Sequence, residues 1–71
     1  MKMILMSELA RILDIKYRTV KYHCRKYHII GQIKLGKRNY YYIEYAKCVA
    51  ESLINLSDKT LDEVIEELDQ Y

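Results

Sequence analysis

Seventy-one residues allow one domain, whose core, without disulfides or metals, is worth only about 3–5 kcal/mol. That size leaves no room for a substrate pocket with walls of its own or for a separate effector-binding domain. The formal charge of +2 conceals unlike halves: residues 1–56 hold eleven Lys/Arg against Glu8, Asp14, Glu44 and Glu51, or +7, whereas residues 57–71 hold Lys59 against six carboxylates, or −5. A basic body with an acidic tail points to a polyanion partner plus a second interaction.

The opening MKMILM is too short for a membrane span or a secretory signal. With Cys24 and Cys48 in no CxxC pair, a reducing cytoplasm is expected. Ile4–Met6 reads as a short strand and Ser7 as the N-cap of a helix running to about Leu13. Leu9, Ala10 and Leu13 form its apolar stripe, and Ala10 is small enough for a close helix crossing. Asp14 tolerates the left-handed backbone that a tight turn needs, and Ile15 plugs the turn. A second helix, from about Tyr17 to Tyr27, repeats Val20, Cys24 and Tyr27 at i, i+4 and i+7, with Tyr17 on the same side. Stripes spaced this way suit two helices crossing steeply around a small core, the helix-turn-helix arrangement.

Opposite Val20 on the helical wheel lie Arg18, Tyr22 and Arg25, flanked by Thr19, Lys21 and Lys26, with Lys16 at the mouth of the helix. A guanidinium suits bidentate reading of a guanine edge, while the lysine ammonium and the tyrosine hydroxyl suit phosphates. A solvated cationic face explains the same residues. The DNA reading is preferred because the strip falls on the recognition position of the motif.

His28, Ile29 and Ile30 lead toward Gly31, where the chain is expected to reverse. Ile33 and Leu35 alternate with Gln32 and Lys34, the pattern of a half-buried strand. Gly36-Lys37-Arg38-Asn39 reads as a turn, and Tyr40–Ile43 returns as a second strand. A two-stranded ribbon is marginal alone and must lean its apolar side on the helices. Lys34, Lys37 and Arg38 make its tip a basic wing for phosphates or a minor groove. Alternate members of Tyr40–Tyr42 are expected in core and rim.

From about Glu44 a third helix carries Ala46, Val49, Ala50 and Leu53, with Ile54 and Leu56 widening the stripe and Lys47, Glu51 and Ser52 facing water. It is expected to pack across the first two helices. Ser57 or Asp58 then caps an acidic helix with a seam of Leu61, Val64, Ile65 and Leu68. Such a short helix folds only against its own body or another chain. The expected organisation is a DNA-binding domain over 1–56 and an acidic amphipathic helix over 57–71, whose seam joins a second subunit.

IKYRTVKYH resembles the start of the recognition helix of the mercury-resistance-regulator (MerR) type of winged helix, and QIKLGKRNYYYI followed by a helix resembles the wing of its small members, the excisionases and minimal regulators. The resemblance covers about residues 4–54. It implies a mainly α fold with a small β-hairpin, the winged helix-turn-helix. Arg18, Lys21 and Tyr22 would touch DNA, with Lys37 and Arg38 at the wing. The coiled coil and effector domain of full regulators have no counterpart here, so a regulator or recombination directionality factor without a small-molecule ligand is implied.

A metal reading would use Cys24 and His28 at i, i+4 with His23 and Cys48, but zinc favours four ligands in tight pairs. No nucleophile–base–acid set suggests an enzyme, and neither cofactor nor membrane is expected. The rival reading is a protein-interaction module, in which the acidic helix engages an integrase or RNA polymerase. Steep salt dependence would distinguish DNA binding from an apolar contact through the seam.

Overall fold

A computed structural model describes residues 2–27 and 32–71, so the reversal expected at His28–Gly31 lies outside the described residues. The elements are β1 (Met3–Leu5), α1 (Met6–Leu13), α2 (Tyr17–Lys26), β2 (Gln32–Leu35), β3 (Arg38–Tyr42), α3 (Ile43–Leu53), a 3-10 turn (Ile54–Leu56) and α4 (Leu61–Asp69). The chain is thus mainly helical with one small antiparallel sheet. The strand expected near Ile4 forms, and it joins the hairpin in the order β1-β3-β2. A third strand answers the marginality of a two-stranded ribbon by giving β3 a ladder on both sides.

Register decides which side of the sheet meets the helices. Ile4 stands opposite Tyr41, and both are fully buried. Residues directly across a ladder share a face, and neighbours along a strand alternate. Ile33 and Leu35, opposite Tyr40 and Arg38, therefore occupy the other face. This corrects the expectation that they lean on the helices: Ile33 is half-buried and Leu35 is 51% exposed. Alternation predicts a two-faced strand but not which face is inward, and the buried Tyr41 settles that choice. The turn is shorter than expected, with Gly36 and Lys37 alone between the Leu35–Arg38 pair. Gly36 has φ +63°, and among the described residues no non-glycine residue but Asp14 has a positive φ. A positive φ at the first central position alone matches the II′ turn that follows the twist of paired strands.

α1 begins at Met6 behind Leu5, so Ser7 does not cap it. The strand runs straight into the helix and places Met6 in the core. Its other end follows expectation: Asp14 takes a left-handed conformation at φ 57°, ψ 43°. The Asp14 amide donates to Arg11 O and the Ile15 amide to Ala10 O, both at 3.0 Å. This is the Schellman arrangement that satisfies carbonyls at a helix end, with Ile15 packed against the core behind it.

α3 buries Ala46, Val49, Ala50 and Leu53 as expected. It packs mainly on α4, β3 and α1 rather than across α1 and α2. Leu56 is 58% exposed and does not extend the stripe, because the backbone tightens into a 3-10 turn at Ile54 and loses the α-helical phase. Lys47 is half-buried and paired with Asp69 of α4, whereas Glu51 and Ser52 face water.

The C-terminal segment differs most from expectation. Neither Ser57 nor Asp58 caps α4. Thr60 does, its hydroxyl oxygen accepting from the Glu63 amide at 3.3 Å while lying 3.1 Å from the Glu63 carboxylate. Thr60-x-x-Glu63 is a capping-box spacing that marks this start in the sequence itself. Ser57 instead donates its hydroxyl to Leu13 O at the end of α1 and accepts the Lys59 amide at 3.1 Å. Val64 and Leu68 are fully buried in the same cluster as Ile4, Leu9, Val20 and Tyr41, while Leu61 and Ile65 are half-buried. Val64 and Leu68 thus pack within their own chain rather than waiting for a second subunit, so this part of 57–71 shares one core with the body. A core this small needs the extra apolar surface.

Candidate nucleic-acid interface

The outward face of α2 is set by the residues turned inward. Val20 and Cys24 are buried, and Cys24 Sγ lies 2.9 Å from Tyr41 Oη on β3. With that side held, Arg18, Lys21, Tyr22 and Arg25 are exposed and line one shallow depression. Lys16 and Lys26 are exposed at the two ends of the helix, and Thr19 is half-buried on its flank. Tyr17 and Tyr27 were expected beside Val20; they are 40% and 60% exposed, so they sit on the rim of the inward side.

Neighbouring groups organise the strip. Lys26 Nζ stands 6.0 Å from the ring centroid of Tyr22 and 5.5 Å from that of Tyr27, within cation–π range. The Tyr27 ring in turn lies 4.7 Å from that of His23. His23 Nε2 is 3.4 Å from Ser52 Oγ on α3, and that hydroxyl donates to Val49 O at 2.9 Å. This contact ties the far half of α2 to α3.

Electrostatics favour anions along this surface. No carboxylate occurs between Ile15 and Ile43, a span with eight Lys/Arg. α2 begins with no side-chain cap and no acidic first turn, and it ends among His23, Arg25 and Lys26. The first turn therefore keeps amide N–H groups for an external acceptor, while the cations suit the negative end of the helix dipole.

The hairpin cations divide by register. Lys34 pairs with Asn39 on the Tyr41 face, the side of the sheet that meets α2, and is exposed there. Lys37 is exposed in the turn. Arg38 pairs with Leu35 on the opposite face, so register separates Arg38 from Lys34, with Lys37 in the turn between them. Sequence reasoning grouped all three because the length of the turn was not legible.

Among the described residues no group of three or more His, Cys, Asp or Glu could hold a metal ion, and no helix is long and apolar enough to cross a membrane. His28, the i+4 partner considered for Cys24, lies outside the described residues. No family model matches the chain, and no curated protein or solved structure matches it either.

Proposed function

We propose that the chain is a winged helix-turn-helix protein that binds double-stranded DNA, with α2 in the major groove and the β2–β3 turn on the backbone or minor groove. The observation that carries this reading is the exposed row Arg18, Lys21, Tyr22 and Arg25 on a ten-residue helix whose other side is locked by Val20 and Cys24. A helix fits the major groove, arginine reads guanine edges, and lysine neutralises phosphates. Lys34 and Lys37 extend the footprint toward the adjacent backbone. The likeness of IKYRTVKYH and the following hairpin to MerR-type regulators and excisionases supports the same role, as a minimal transcription regulator or recombination directionality factor.

The acidic helix has a supporting part in this reading. Its seam fills the core beneath α1, and Ser57 fastens the end of α1, so the segment braces the turn from which α2 departs. The test is selection of bound duplexes from a random pool, followed by titration of the recovered site at several salt concentrations. A recovered consensus with log affinity falling linearly in log salt is the expected result. Recovery of no consensus, with binding insensitive to salt, would refute the proposal.

A further inference from the structure

The sheet has a second face that duplex binding does not use. On β3, Arg38, Tyr40 and Tyr42 follow one another at every second residue on the face turned away from Tyr41. Met3 and Leu5 of β1 flank this row on one side, and Ile33 and Leu35 of β2 flank it on the other. Tyr42 is 41% exposed and Met3 37% exposed, while Tyr40 and its cross-strand partners Leu5 and Ile33 are half-buried. The three strands carry Lys34 and Arg38 and no carboxylate, and beside Tyr42 the surface borders Lys2, Glu44 and the Lys47–Asp69 pair.

We propose that this face is a binding platform for single-stranded nucleic acid, with Tyr40 and Tyr42 stacking on successive unpaired bases and Arg38 holding a phosphate or a third base. Charge and ring chemistry choose the occupant. A row of one cation and two aromatic rings on an acid-free sheet matches the alternation of phosphate and base in a single strand. Residues two apart on a strand stand about 6.7 Å apart, twice the 3.4 Å rise of stacked bases. Bases on Tyr40 and Tyr42 would therefore be splayed from each other, which a duplex does not permit. Every base has a π face, so the platform is expected to take any sequence. It needs neither Arg18 nor Arg25 and stands independently of the recognition-helix reading.

The experiment is fluorescence anisotropy of a labelled oligothymidylate of about eight nucleotides with four proteins: wild type, Tyr40→Ile/Tyr42→Ile, Tyr40→Phe/Tyr42→Phe and Arg18→Ala/Arg25→Ala. Isoleucine keeps the apolar, β-forming character and removes only the ring. Loss of each ring is expected to weaken binding about 5- to 100-fold, whereas the phenylalanine pair and the arginine pair retain it. Tyr42→Ile alone, at the exposed end of the row, gives the same reading if the double variant does not fold. Equal binding by the isoleucine and wild-type proteins overturns the proposal, as does equal loss in the phenylalanine and isoleucine pairs. It is also overturned if light scattering shows a dimer that the isoleucine pair dissociates, because a second copy would then occupy the face.

Discussion

Cys24 on α2 and Tyr41 on β3 share a buried hydrogen bond, Sγ to Oη at 2.9 Å, across the seam between the candidate recognition helix and the sheet. Either group can donate. Both side chains are otherwise enclosed by apolar neighbours, so each is the other's polar partner and fixes how far α2 can slide along the hairpin. Burial is the first cause, reinforced by the adjacent thiol, that pushes the Tyr41 phenol well above its ordinary 10.0.

This contact predicts alkaline sensitivity. A phenol neutral in the folded state and ionised in the unfolded one contributes stability that is fully present below about pH 10 and is lost as pH rises toward the folded-state value. Denaturant midpoints followed from pH 8 to 11.5 should fall above pH 10, and Tyr41→Phe should flatten that fall. At neutral pH the same substitution should cost only about 0.5–1.5 kcal/mol, because it removes one hydrogen bond and keeps the ring.

Leu68 and Val64 belong to the common core, so shortening them should destabilise the whole chain. Leu68→Ala should cost about 2–5 kcal/mol, comparable to the entire stability expected at this size. Melting temperatures should drop at all protein concentrations alike. A drop confined to low concentration would instead indicate that the seam joins two chains.

Asp14 sits at φ 57° with a negative charge at the C-terminal end of α1. Left-handed backbone disfavours residues with a Cβ, and the helix dipole disfavours an anion there. Asp14→Gly should therefore raise stability by about 1 kcal/mol, read as a higher urea midpoint with an unchanged slope. Duplex affinity should stay constant, since α1 and α2 keep their angle.

Arg18→Ala and Arg25→Ala should each weaken binding to a selected site by about 1–3 kcal/mol and relax its sequence preference. Equal losses on selected and random duplexes would reassign both to phosphate contacts.

Lys34→Ala with Lys37→Ala should lower the log–log salt slope by about one to two units at nearly constant preference. Arg38→Ala should leave the duplex slope unchanged, because register turns Arg38 to the other side of the hairpin. A fall in that slope would show that the hairpin twists enough to bring Arg38 around.

Helices α1, α2 and α3, the left-handed turn at Asp14 and the hairpin were all legible in the sequence, because each is governed by neighbours within a few residues. Periodicity alone located the inward stripes Leu9–Ala10–Leu13 and Ala46–Val49–Ala50–Leu53, and the outward row Arg18–Tyr22–Arg25. Three matters were decided only by tertiary structure. A strand of period two has two candidate inward faces, and the Ile4–Tyr41 pairing chose the one that leaves Ile33, Leu35 and Tyr40 outside. The length of the turn separated Arg38 from Lys34, since a shift of one residue moves a side chain to the opposite face. The seam of α4 could close its own core or another chain's with the same amphipathic pattern. It closed its own, because Leu13 O, Lys47 and the apolar floor of α1 and α3 lie within reach of Ser57, Asp69 and Leu68, and burial there completes a core too thin to stand alone.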